Sequence, residues 1–278
     1  AVTAAAEQDV AARSAAGGGA DTFALIGAIS KNDIHNTVTA ELTGPNAIIA
    51  GSSILMLSND RSAYNITAGG GSGASEAALA GSKATNNIAN TIQSYMSGGA
   101  TASGQSVGVR AIDDAKIGSF VGGAAGAGTF AFGEAEGENE VANLISARIN
   151  GAVVSAVDIN VEAKASQEFT SIVFSGAGAG TVAGAVTLAD NHTSNRVEGF
   201  IAGNNTRVSG TNVSVLAIDE SNLEAGIGSA AGAGEVAGAV SKAANRVDTQ
   251  VRAHVSGGAM VTAGAAVRVE AKDATTLT

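Results

Sequence analysis

The chain has 278 residues, 38 of them glycine, with a single proline (Pro45), no cysteine, no tryptophan and a formal net charge of -10. It is 45% hydrophobic but only 3% aromatic. Its apolar side chains are therefore mostly small, and small side chains cannot fill a thick core at native packing density. The lack of cysteine excludes a disulfide framework and thiolate metal sites, and an acidic chain with no basic cluster is expected to bind neither nucleic acid nor anionic membrane.

In chain order, the opening AVTAAAEQDV lacks the basic start and continuous apolar run of a signal peptide. The following AAAEQDVAARSAA has helix-forming composition. Its place in the repeat described below points to strand, and propensity is the weaker prior. NTVTAEL begins at Asn36, and ILMLSND fills 54–60. The two kinds of segment then recur in the same order. The first returns as NTIQSYM from Asn90, NLISARI from Asn143, NRVEGFI from Asn195 and NRVDTQV from Asn245. The second returns as VGVRAID at 107–113, INVEAKA at 159–165, VSVLAID at 213–219 and VRVEAKD at 267–273. A third, small-residue motif reads AAGAGTFAFG at 124–133, GAGAGTVAGAV at 176–186 and AAGAGEVAGAV at 230–240. From residue 54 onward the second motif steps by 53, 52, 54 and 54, and the Asn motif steps by 54, 53, 52 and 50. Three motifs in one order with a common period define about five units, 1–60, 61–113, 114–165, 166–219 and 220–278, in a single repeat array.

Within a unit the alternation has period two. Val213, Val215 and Ala217 share one side and Ser214, Leu216 and Ile218 the other; Val267, Val269 and Ala271 likewise oppose Arg268, Glu270 and Lys272. Period two with β-branched residues means strands, one face in a core and one in water. Four to five strands per unit, repeated in order, predict an all-β fold, a right-handed parallel β-helix (β-solenoid) in which successive units stack. Two coils per unit are expected, with one large coil as the alternative. The recurring Asn36, Asn90, Asn143, Asn195 and Asn245 are expected at a corner of the coil, in left-handed geometry, forming a structural ladder. Asp60, Asp113, Asp219 and Asp273, at the ends of the second motif, are expected in solvated turns. Ala165 in the third copy argues against an essential row of carboxylates.

Residues 169–189 carry no charge and are long enough to span a bilayer. However, Glu235 stands where Thr181 does, so no membrane span is expected. The glycines lack the Lys-Ser/Thr of a phosphate loop. His35, His192 and His254 share no ligand spacing, and no carboxylate cluster marks a hydrolase. No catalytic residue, metal or cofactor is expected.

The ordered pattern GAGxVAGAV, NxVxAxI, VxVxA plus Asp or Lys resembles the β-strand repeats of very large bacterial exoproteins. These include filamentous-haemagglutinin-like adhesins of type V secretion and the leukotoxin-type exoproteins of fusobacteria. The resemblance spans essentially the whole chain. It implies a β-helical shaft outside or on a bacterial cell, acting as a filament or adhesin stalk that self-associates end to end or laterally, with host-cell or matrix ligands as partners. The alternatives are a passenger segment of a secreted cytotoxin or host-binding exoprotein and, less favoured, a polysaccharide-acting β-helix enzyme.

Overall fold

The computed structural model describes all 278 residues. The chain winds in coils of four strands. The first coil is β1 (Val2–Ala6), β2 (Asp9–Ala20), β3 (Phe23–Ile34) and β4 (Thr37–Thr43). The second is β5 (Ile48–Asp60), β6 (Ala63–Ala74), β7 (Ala77–Ile88) and β8 (Thr91–Ser97). The third is β9 (Thr101–Asp113), β10 (Lys116–Ala127), β11 (Phe130–Val141) and β12 (Leu144–Asn150). The fourth is β13 (Val153–Ala165), β14 (Glu168–Ala179), β15 (Val182–Thr193) and β16 (Arg196–Ala202). The fifth is β17 (Arg207–Asp219), β18 (Asn222–Ala233), β19 (Val236–Val247) and β20 (Gln250–Ser256), and a sixth begins with β21 (Met260–Asp273) and β22 (Thr276–Leu277).

Each strand pairs in parallel with the strand four places on, giving four sheets. Sheet 1 runs β1-β5-β9-β13-β17-β21 and sheet 2 runs β2-β6-β10-β14-β18-β22. Sheet 3 contains β3, β7, β11, β15 and β19, and sheet 4 contains β4, β8, β12, β16 and β20. The fold is thus an all-β parallel β-helix. The opening residues are strand despite their alanine content.

The expectation of two coils per unit is corrected. Val107 pairs with Ile159 and Ile159 with Val213, so a whole unit intervenes between hydrogen-bonded neighbours and each unit makes one coil. The strands are long enough for this: 13, 12, 12 and 7 residues in the third coil. Two coils per unit would need strands of half that length. With one coil per unit, the five steps from β1 to β21 rise only about 25 Å at ~4.8 Å each.

The coil is flattened into two lobes. Between sheets 1 and 4 lies a core of 26 buried residues, among them Met56, Val109, Ile145, Ile149 and Val161. Between sheets 2 and 3 the core tapers. Tyr64, Ile88, Ile117, Val141 and Phe169 fill its wide end, Ile66, Val121 and Val173 the middle, and Ala78, Ala80, Ala125 and Ala131 the tip. At two places the lobe closes to backbone contact. A Cβ on Gly123 would lie 2.2 Å from the Glu134 carbonyl oxygen, and one on Gly133 would lie 2.2 Å from that of Gly176. The small residues of GAGAGTVAGAV therefore form this tip: β14 runs in, Gly180 and Thr181 turn, and β15 runs back. Thr181 stacks under Glu235 at the turn, where Glu235 is exposed.

The corner between sheets 4 and 1 is made by glycine. Gly44, Gly98, Gly151, Gly203 and Gly257 all have positive φ, and no residue other than glycine does. The left-handed geometry expected of the asparagines is therefore absent from them. No helix of the molecule is long and apolar enough to cross a membrane.

Candidate functional site

The polar chemistry of the interior gathers at the waist between the lobes, where sheet 1 ends, sheet 2 begins, sheet 3 ends and sheet 4 begins. Asn36, Asn90, Asn143 and Asn195 occupy this waist, and the first three each donate to the coil above. The Asn36 N–H donates to Asn90 Oδ1 (2.8 Å), the Asn90 N–H to Asn143 Oδ1 (2.7 Å) and the Asn143 N–H to Asn195 Oδ1 (3.0 Å). The fifth expected member is elsewhere. Asn245 pairs with Asn191 in sheet 3, and Thr249 takes the fifth waist position, bracketed by Asp248 N–H to Thr193 O and Gln250 N–H to Asn195 O. The step of 50 residues between Asn195 and Asn245, shorter than every other step, is the sequence trace of that change of column.

Asn245 ends a second column that sequence reasoning missed. Asn32 Nδ2 donates to Asn86 Oδ1 (3.1 Å), Asn86 to Asn139 (2.7 Å), Asn139 to Asn191 (2.8 Å) and Asn191 to Asn245 (2.9 Å). Asn86, Asn139 and Asn191 are buried inside the sheet 2–sheet 3 lobe. The signal was legible: an Asn stands four residues before each waist position, at 32, 86, 139, 191 and 245. A carboxamide suits such a column because it donates on one side and accepts on the other.

Three of the four aspartates are also corrected, Asp273 alone being exposed. Asp60, Asp113 and Asp219 are fully buried, not in solvated turns. Period two already required this, since Asp219 has the parity of Val213, Val215 and Ala217, whose side faces the core. Each carboxylate caps its own corner through Oδ1: Ser62 N–H to Asp60 (2.9 Å), Ala115 N–H to Asp113 (3.2 Å), Ser221 N–H to Asp219 (2.9 Å) and Thr275 N–H to Asp273 (3.0 Å). Oδ2 faces across the waist. Asn90 Nδ2 donates to Asp60 Oδ2 (3.1 Å) and Asn143 Nδ2 to Asp113 Oδ2 (2.8 Å).

Two coils have alanine in the aspartate column, Ala6 and Ala165. In both, the residue two positions on is glutamine, where the other coils carry Ser62, Ala115, Ser221 and Thr275. The glutamine supplies the missing acceptor. Asn36 Nδ2 donates to Gln8 Oε1 (3.3 Å) and Asn195 Nδ2 to Gln167 Oε1 (2.8 Å). Gln167 Nε2 also donates to Asp113 Oδ2 in the coil below. The waist thus needs one acceptor per coil for its Asn, drawn from Asp directly or from Gln one corner later. That explains why Ala165 is tolerated.

Tyr64 completes the waist at the second coil. Its hydroxyl accepts from Asn36 Nδ2 (2.8 Å) and Asn90 Nδ2 (3.1 Å) and lies 3.4 Å from Asp60 Oδ2. Burial, with the Asp60 charge adding to it, holds its phenol above the ordinary value. Burial, reinforced by the Asp60 carboxylate in the coil below, pushes Asp113 up to about 7 against its three donors. Burial likewise raises Asp219.

The histidines fall in different places. His35 pairs with Asp33 (2.8 Å), His192 with Asp248 (3.1 Å), and His254 stacks on Phe200 with 5.1 Å between ring centroids. His192 stacks between Glu140 and Arg246, so it does not share the column of His35. No group of three His, Cys, Asp or Glu residues is placed to hold a metal ion.

On the outer face of sheet 3 a trough of about 570 Å³ runs over the first three coils. Gly27 and Gly81 form its floor, Leu25, Leu79 and Phe132 one wall, and Ile29, Lys83 and Glu136 the other. No family model matches the chain, and no curated protein and no solved structure matches it either.

Proposed function

We propose that the chain is a structural segment, the shaft of a filament or adhesin stalk on or outside a bacterial cell, with no catalytic role. The observation that carries this reading is the unbroken register. Sheets 2, 3 and 4 keep one partner per residue from coil to coil, and sheet 1 keeps its register across one unpaired position per coil (Ser52, Gln105, Val157, Thr211), with a single shift between Gly210 and Asn212. Asn columns in both the lobe and the waist lock that register, because a slip by one residue would remove every side-chain bond of a column at once. Such a stack resists bending and pulling through many parallel hydrogen bonds, and the net charge of -10 keeps its outside solvated. Because one coil adds only ~4.8 Å, reach comes from many coils. The parallel strand edges of a coil are suited to joining further coils or a second copy.

Electron microscopy and fibre diffraction of the purified chain test this. Filaments with an axial repeat of ~4.8 Å support it. Compact monomers that stay dispersed at high concentration count against end-to-end assembly. A second reading, a host-binding segment of a secreted exoprotein, draws on the trough of Leu25, Leu79 and Phe132. Cell binding by this chain alone that is lost in Phe132→Ser would favour it over a purely mechanical role.

A further inference from the structure

The fifth coil breaks the waist rule. Asp219 stacks on Ala165 and under Asp273, and it is fully buried. Its Oδ1 takes the Ser221 N–H, but its Oδ2 has no hydrogen-bond partner. In the second and third coils the Asn thirty residues on supplies that partner: Asn90 for Asp60 and Asn143 for Asp113. In the fifth coil that residue is Thr249, whose Oγ1 is likewise buried and unpartnered. Thr249 has no amide to donate, and its side chain is one atom shorter than asparagine's. No glutamine rescues the position: Gln167 reaches Asp113 from one coil on, and the residue at that position one coil on from Asp219 is Thr275. The charged group facing Asp219 is Asp273, a like charge. Glu220, Lys164 and Lys272 lie outside the waist and pair with one another (Lys164 Nζ to Glu220, 3.1 Å; Lys272 Nζ to Glu220, 2.7 Å). Asn195 and Ser221 are neutral, and their side chains draw Asp219 down against the burial that raises it; Ala165 adds nothing.

A buried carboxylate oxygen with no donor and no cation is among the most costly groups in a protein interior, and taking up a proton removes the charge. We propose that Asp219 is a proton-binding rung of the array: it holds a hydrogen ion in place of the amide hydrogens that Asn supplies in the other coils, and the seam between the fifth and sixth coils loosens when that proton leaves. The proton comes from solvent and returns to it, with no other bond made or broken. Asp219→Asn mimics the neutral form, and Thr249→Asn restores the missing donor.

The test uses the full chain labelled with ¹³C at the aspartate carboxyls. Asp219 is followed by NMR across the pH range, with amide exchange protection of β17 and β21 measured in parallel and corrected for intrinsic rates. In the wild type, protection of Val213–Asp219 and Val267–Asp273 is expected to fall as Asp219 ionises. In Thr249→Asn, Asp219 should titrate at lower pH and the seam should hold to higher pH. In Asp219→Asn, protection of the seam should match wild type at low pH and exceed it at high pH. An Asp219 that titrates as an ordinary exposed carboxylate, an unchanged titration in Thr249→Asn, or a seam in Asp219→Asn weaker than wild type at high pH would each overturn the proposal. Asp219→Asn and Thr249→Asn act at different residues, so a folding failure in one leaves the other decisive.

Discussion

Replacing Asn139 by leucine isolates the buried carboxamide column. Leucine keeps the branching of asparagine but neither donates nor accepts. The substitution removes the bond from Asn86 Nδ2 (2.7 Å), the bond to Asn191 Oδ1 (2.8 Å) and a longer one to Ser171 Oγ (3.4 Å), whose hydroxyl can turn to another partner. Asn86 and Asn191 are 0% and 1% exposed, so water cannot replace what they lose. Each keeps its other neighbour, but one donor and one acceptor are stranded. A stranded buried polar group costs about 1–3 kcal/mol, so the pair costs about 2–6 kcal/mol. The apolar area of leucine buried in the lobe offsets about a third of that at ~25 cal/mol per Å². A net loss of about 2–4 kcal/mol follows. The control is Asn212→Ala, which removes an exposed bond to Asp158 (2.8 Å) and should cost no more than about 0.5 kcal/mol. Urea denaturation followed by far-ultraviolet circular dichroism gives the two losses. Hydrogen exchange in β7, β11 and β15 places them, since arrays can open in parts. A loss below about 1 kcal/mol, or one equal to that of Asn212→Ala, would refute the claim that the column holds the register.

Other outcomes are expected at the waist. Asp113 has its folded value raised to about 7 from 3.8. Its stabilising contribution is therefore complete below the unfolded value and is lost as pH rises through about 7, a swing of about 4 kcal/mol. The chain should melt at higher temperature at pH 5 than at pH 8, and Asp113→Asn should flatten that difference; a melting temperature that rises with pH over this window contradicts the assignment. Gln167→Leu strands Asn195 Nδ2 and takes a donor from Asp113 Oδ2. It should lower stability by about 2–4 kcal/mol and move the loss of stability to higher pH, and denaturation series at two pH values check both effects.

The period, the strands and the parallel stacking were all legible along the chain, because period-two alternation and a repeat near 53 residues are local and additive signals. The faces were legible too: the side of Val213, Val215 and Ala217 is the buried one. Carried one step further, the same parity places Asp219 inside, and it was the general habit of aspartate for turns that pointed the other way. Burial is affordable for Asp60 and Asp113 only because an Asn thirty residues on meets each carboxylate, and a contact at that separation leaves no mark on local propensity. The number of coils per unit also had to come from the tertiary structure. A repeat length states how far the pattern travels before it recurs, not how often the chain turns within it; the pairing of Val107 with Ile159 settles that. The same holds for the two Asn columns. Sequence spacing merged Asn195 with Asn245, whereas hydrogen bonding requires partners in adjacent strands, and only the register shows that Asn245 belongs to Asn191 while Thr249 leaves the waist one amide short.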